Sequence, residues 1–348
     1  MVTISPPDRR GNAISFVQSG LFLSLFLMAL STVTDNKTAQ DINAFIGINS
    51  TIAQDKKDLI TDIIATFPES NADLRWRWSS RLVLKSDIGS HIINNSVIKS
   101  LNLQVNHCDG TESPEELAKT LNRMVEEDSG GAIHDTFEAD EFEDGFQAVA
   151  ITMLYFRARW RSAPTVLNGT RLFRDADGTP PRTVPMIRIN DVMRYANIQD
   201  WGCQAIEISY ATPGLSLLIL VPDGTSLRDV AHQLTLTNLT KIVDRMEPIR
   251  IGVSMPLYTL RMTLLLPSKL QSMGMHSLFN WSDGTQKDLR LSHAIQRIMF
   301  WAEAGRNAFK DDGIEWDSTP ELELVVDRPY LFFVRWHNIT LMNGNFVL

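Results

Sequence analysis

Ala148-Val-Ala-Ile-Thr-Met-Leu-Tyr-Phe-Arg-Ala-Arg-Trp160 opens with nine residues in which Thr152 is the one polar interruption. A strand with one wet face would carry a polar side chain at every second position. This one does not, so it is read as a central strand buried on both faces. Leu217 to Val221, Ile249 to Met255, Ile295 to Trp301 and Tyr330 to Trp336 read as further strands, and Trp336 to Leu348 closes a terminal hairpin.

Helical periodicity marks Ala39 to Phe45, Lys57 to Thr66, Pro114 to Val125 and Leu264 to Met273, the last closed by Gly274. Ser113 followed by Pro114, Glu115 and Glu116 is a helix start, with a capping hydroxyl, a proline in the first turn and acids at the positive end of the dipole. Helices and strands mix without strict alternation. The class is therefore α+β rather than a doubly wound sheet. No internal repeat or low-complexity linker divides the 348 residues.

Forty-four per cent of the chain is apolar, 21% is charged, and the net charge is -8. That balance supports a sizeable core and argues against nucleic acid and anionic membrane as partners. Arg9-Arg10 and Lys56-Lys57 are the densest basic spots, so no heparin-like site is evident. Cys108 and Cys203 are too few for a metal or redox motif; they either bridge or pack as free small hydrophobes. Seven Asn-x-Ser/Thr sequons, at Asn36, Asn49, Asn94, Asn168, Asn238, Asn280 and Asn338, suggest a secreted glycoprotein.

Catalytic motifs are missing: there is no nucleophile elbow, phosphate loop, dinucleotide fingerprint or zinc-protease signature, and no metal or cofactor is expected. His134-Asp135 reads as plain surface. The acidic run Glu138 to Glu143 lacks the ligand spacing of a calcium loop. The chain is not read as an enzyme.

Leu21 to Leu30, preceded by Arg9-Arg10 and followed by Ser31, has the outline of a secretory signal cleaved after about Ser31. It is too short to span a bilayer. The competing reading is a buried core helix.

Motifs in order along the chain resemble the serpin family. Leu154-Tyr-Phe-Arg-Ala-Arg-Trp160 resembles its isoleucine-tyrosine-phenylalanine-lysine-glycine-x-tryptophan strand, which puts Trp160 at the top of the main sheet. Leu172-Phe173, Val184-Pro-Met186, Ile206 to Tyr210, Leu217 to Pro222, Met255 to Tyr258, Leu270 to Met275, Asp327 to Phe333 and Asn343 to Val347 follow in family order. Phe16 to Thr38 is similar to the family's buried second helix, with Ser19 on its shutter serine. Gln296 stands where the shutter histidine stands. This favours the core-helix reading of Leu21 to Leu30.

The resemblance implies a single serpin-like domain over 16–348, with three β-sheets, surrounding helices and an exposed reactive loop at about 303–325. Residues 1–15 are then an N-terminal extension without stable structure, and the usual first helix is missing. Any signal is either residues 1–31 or absent from this chain. The domain is expected to be a monomer whose partner is a serine protease or a secreted protein.

In that family a cleaved loop inserts as a new strand of the main sheet, so every second hinge residue becomes buried. Here the hinge runs from Glu303 and Gly305 through Arg306, Ala308, Lys310 and Asp312 at the inward positions, and three of those four are charged. The expected cleavage region is Ser318-Thr319-Pro320, where the bond before Pro320 is a poor substrate and Ser318-Thr319 is cleavable. A non-inhibitory binding or signalling protein is the leading expectation. A protease trap and a storage glycoprotein are the alternatives.

Overall fold

The computed structural model describes residues 14–49, 52–85, 90–174, 180–234, 236–279, 289–302 and 320–348. Its strands are β1 (Phe16–Gln18), β2 (Leu74–Lys85), β3 (Gln104–Cys108), β4 (Ala148–Ala158), β5 (Thr165–Phe173), β6 (Arg182–Ile198), β7 (Cys203–Ser209), β8 (Leu215–Pro222), β9 (Glu247–Pro256), β10 (Tyr258–Leu265), β11 (His293–Ala302), β12 (Leu322–Val325), β13 (Tyr330–Trp336) and β14 (Ile339–Phe346). Five of them form one sheet in the order β10-β11-β4-β2-β3. Within it β11 and β4 run parallel in unbroken register from His293 opposite Val149 to Phe300 opposite Phe156, while β10 and β2 flank them antiparallel.

The other nine strands share one ladder, β1-β14-β13-β8-β7-β6-β9-β12, with β5 also on β6. Seventeen-residue β6 explains it. Its first half pairs with β5 and β9, and its last residues, Arg194 to Ile198, pair with β7. The ladder is thus two sheets joined by one shared strand, which with the five-stranded sheet gives three.

β4 is buried along nearly its whole length because it separates two interiors. Leu154, Phe156 and Ala158 face the core shared with the nine-stranded ladder, while Val149, Ile151, Met153 and Tyr155 lie under α6 (defined below). That is the physical reason its sequence shows no alternation.

The helices are α1 (Gly20–Leu30), α2 (Asn36–Ile46), α3 (Ala53–Ala65), α4 (Ser90–Ile93), α5 (Ser96–Ser100), α6 (Pro114–Ser129), α7 (Leu227–Gln233), α8 (Leu236–Arg245) and α9 (Leu266–Ser272). Apolar all round, α1 has no face for water, and Leu25 through Leu30 are buried. Leu21 to Leu30 is therefore a core helix beside β14, and the signal reading of that run gives way. Asp35 caps α2 by accepting from the N–H groups of Lys37 and Thr38, each at 3.0 Å, and Gly47 ends it at φ 74°. Ser113 and Glu116 form a reciprocal capping box on α6, and Gly130 closes it.

The helix expected from Leu264 starts two residues later, because β10 pairs Leu264 with Gln296 and Leu265 with Ile295 before Pro267 enters the first turn. Neither cysteine is in a disulfide and both are buried; burial pushes the Cys203 thiol up to about 11. Ile14 and Ser15, assigned by sequence to the extension, are tied to the C-terminus: Ser15 Oγ donates to Val347 O, and Asn345 Nδ2 donates to Ile14 O at 2.8 Å.

Candidate functional site

Of the residues singled out from the sequence, Ser19 and Gln296 meet at β11. At its middle, Gln296 is 1% exposed. Its Nε2 donates to the Ser19 carbonyl at 2.9 Å, and its Oε1 accepts from the Ser19 N–H at 2.7 Å. One uncharged side chain thus satisfies both backbone groups of the residue that opens α1. Ser19 Oγ in turn donates to the Leu341 carbonyl on β14 and accepts from Phe22 N. Ser19 and Gln296 are joined as the sequence implied, and the joint ties β11, α1 and β14 together. An amide can do this at any pH; a histidine in its place would titrate.

Trp160 lies just beyond the end of β4, 2% exposed, and stacks on Tyr210 with centroids 4.4 Å apart and planes 12° apart. From there an aromatic column runs inward. Tyr210 meets Phe156, Phe156 stacks on Phe300, and Phe300 stacks on Phe332. Tyr258 and Tyr330 share a hydrogen bond at 2.8 Å, and burial raises the hydroxyl pKa of both and of Tyr210. Next to Trp160, Arg161 grips Asp191 on β6 through two bonds, at 2.9 and 2.8 Å, and donates to the Val192 carbonyl. Sequence reasoning missed this clamp, since its partners are thirty residues apart and neither belongs to a motif.

Strand β11 ends the described part of the five-stranded sheet at Ala302, and the described chain resumes at Pro320 before β12, which pairs parallel with β9 in the other sheet. Glu303, Gly305, Arg306, Ala308, Lys310, Asp312, Ser318 and Thr319 lie outside the described residues. Pro320 is half-buried, and the next residue, Glu321, donates its N–H to the Arg250 carbonyl at 2.8 Å. An ion pair between Arg188 and Glu323 holds the returning strand on its neighbours.

Asn36, Asn49, Asn94, Asn168 and Asn338 are exposed. Asn338 lies in the turn between β13 and β14. Asn168 sits within β5 where its pairing with β6 slips. Asn238 belongs to α8, and Asn280 lies outside the described residues. His134 pairs through Nδ1 with Glu126 at 3.2 Å rather than with Asp135. The acidic run folds into a one-turn helix at Ala139–Phe142, and among the described residues no cluster of three metal-ligating side chains occurs. No described helix is long and apolar enough to cross a membrane.

A second polar centre that no motif announced lies in the nine-stranded ladder. Glu207 on β7 accepts from Arg335 on β13, from Ser216 on β8 at 2.7 Å and from Arg194 on β6 at 3.2 Å. Arg194 also donates to the carbonyls of Val243 and Met246.

A three-sheet α+β body with a parallel β11–β4 seam, in which β11 belongs to one sheet and the next described strand, β12, to another, defines the serpin fold. Residues 9–347 match the family model described as Serpin (serine protease inhibitor), and the chain belongs to that family. It is 23% identical to the leukocyte elastase inhibitor of Xenopus laevis, over 92% of this chain and 89% of that one. It is 26% identical to the leukocyte elastase inhibitor of Bos taurus, over 65% of this chain and 64% of that one. Among solved structures, native protease nexin-1 with heparin superposes with a TM-score of 0.82 at 20% identity, covering 96% of this chain and 92% of that one. Uncleaved ovalbumin superposes with a TM-score of 0.80 at 18% identity, covering 95% and 92%. At such identities these two show the fold alone. The family is one of protease inhibitors rather than enzymes.

Proposed function

We propose that this chain is a secreted serpin glycoprotein that acts by binding or signalling, and that its loop does not insert to trap a protease. The supporting observation is the chemistry of the β11–β4 seam, into which an inserted strand would have to fit. On its core side Ile298 stands opposite Leu154 and Phe300 opposite Phe156, all four fully buried. The loop would deliver Arg306, Lys310 and Asp312 to alternate positions against that wall. Burying an unpaired charge costs several kcal/mol even after relaxation. Lys310 could pair with Asp312, but Arg306 comes first after Gly305 and has no such neighbour. The exposed sequons support the secretory assignment.

A second reading, inhibition by loop cleavage and insertion, is favoured by the printed names of the elastase-inhibitor relatives and by the cleavable Ser318-Thr319 bond. Incubation with trypsin-, chymotrypsin- and elastase-like proteases separates the two. The expected outcome is nicking in the loop, no complex surviving denaturant, and a Tm within a few degrees of the intact protein, a shift of about 2 kcal/mol or less. A denaturant-stable complex, or a steep rise in Tm on nicking, would put the inhibitor reading first. Arg306→Thr with Lys310→Ala should shift the nicked protein toward insertion and higher Tm.

A further inference from the structure

A cavity of about 670 Å³ opens between α1, α9, the end of α2 and the β13–β14 hairpin. That volume suits a small-molecule ligand. Its body is hydrocarbon, with Leu21, Leu23, Leu266, Leu270, Met273 and Phe333 among the walls. Among the described residues that line it there is no carboxylate, arginine or histidine, and the single ionisable side chain is Lys269 on α9.

Two groups give this apolar space a polar end. Asn343 is 6% exposed, and its Nδ2 donor has no hydrogen-bond partner among the described residues. A buried donor left in that state costs free energy that an acceptor would recover. The Lys269 ammonium stands 4.5 Å over the ring of Phe16. Phe16 pairs with Asn345 and Gln18 with Asn343 across β1 and β14. Cross-strand partners share a face, and so do residues two apart, so Phe16 and Asn343 project from the same side of the sheet. Lys269 and Asn343 both line the cavity. Burial depresses the Lys269 pKa, as expected of a cation stripped of part of its water.

We propose that this cavity binds a single-chain carboxylate, its hydrocarbon tail in the leucine-lined body and its head accepting from Lys269 Nζ and Asn343 Nδ2. A cationic amphiphile would meet the ammonium. A neutral alcohol could accept from the amide but would leave the ammonium without an anion from the ligand. A phosphate would bring a second negative charge with no second cation in the lining to offset it. Ser19 and Gln296 border the same cavity, so its occupant would touch the joint between α1 and β11.

Calorimetric titration of the full chain at pH 7 with dodecanoate, dodecanol and dodecyltrimethylammonium, each below its aggregation concentration, tests the assignment. One dodecanoate per chain should bind, dodecanol at least about tenfold more weakly, and the cation without saturation. Dodecanoate should also raise Tm as its concentration rises. Lys269→Met should abolish the preference for acid over alcohol, and Lys269→Arg should keep it. Absence of saturable dodecanoate binding, equal affinity for acid and alcohol, or an unchanged preference in Lys269→Met would each overturn the proposal. Should Lys269→Met fail to fold, the three-ligand comparison on the unmodified protein decides alone.

Discussion

The two polar centres inside this molecule are built on opposite principles. The Gln296–Ser19 joint is neutral: an amide and a backbone satisfy each other without a charge. The Glu207 centre is ionic, with Arg335 and Arg194 both directed at one carboxylate. The neutral joint sits on β11, whose neighbour β4 must separate from it if a strand is ever to enter. The ionic one sits among β6, β7, β8 and β13 in the nine-stranded ladder. A neutral joint can open and reclose without stranding a charge in low dielectric, whereas an ionic one cannot. The difference predicts that removing one partner costs more at the ionic centre than at the neutral joint.

Breaking the ionic centre should cost most. Glu207→Ala leaves Arg335, 8% exposed, without its carboxylate, and should lower stability by about 3 to 5 kcal/mol in denaturant titration. Glu207→Gln, which keeps an acceptor, should cost less. A loss under about 1 kcal/mol for Glu207→Ala would remove the contrast between the centres.

Gln296→Ala strands the Ser19 N–H, while the Ser19 carbonyl keeps the Leu23 N–H, and should cost about 1 to 3 kcal/mol. Gln296→His sharpens the point by introducing a titrating group at a buried position. Burial disfavours the charged imidazolium, so the folded-state pKa falls below the ordinary value of about 6.5. The unfolded chain then binds more protons below that value, and the variant should lose stability as pH falls from about 7 to 5 relative to the unmodified protein. Parallel pH profiles for the two would show that the joint tolerates a charge.

Lys56 is an intermediate case, a buried amine whose Nζ donates to Ser31 Oγ at 2.7 Å and Asn43 Oδ1 at 2.9 Å, both neutral. Burial lowers its pKa below the ordinary 10.5. Between that lowered value and 10.5 the unfolded chain holds the extra proton, so stability should rise with pH in this window. Lys56→Met should abolish the rise. Equal alkaline slopes for the two proteins would count against it.

The smallest effect belongs to Asp35. Burial alone would raise its carboxyl, but hydrogen bonds from Thr38 and the guanidinium of Arg290 outweigh it and hold the carboxyl at about 2. Its stabilisation is complete above the ordinary 3.8 and disappears as pH falls through about 2. Asp35→Ala should cost about 1 kcal/mol at pH 7, with the deficit closing on acidification.

Much of the fold could be read from local pattern, and what could not has physical causes. β4 and β13 were read within two residues of their ends because burial on both faces leaves an unbroken apolar run. β6 escaped notice because it changes sheets midway, so no single face stays apolar along it, and Pro185 and Asp191 interrupt the pattern. Leu21 to Leu30 was ambiguous because a core helix and a signal share one composition. Ser19 and Gln296 came from family resemblance alone, being 277 positions apart. Glu207 with Arg335, and Lys56 with Asn43, have no local signature at all, since each pair is created only by the folded topology.

Strand β1 carries a consequence for the order in which this protein can be made. Phe16 to Gln18 pairs with Asn343 to Asn345, so the first described strand must wait for almost the last residues to be synthesised. At typical translation rates of about 5 to 20 residues per second, that wait is roughly 15 to 65 s. Throughout it the apolar α1, which ends up against β14, has no native cover on that side. A premature stop before Asn343 would leave that helix permanently exposed and send the product to degradation or aggregation rather than to a smaller folded form.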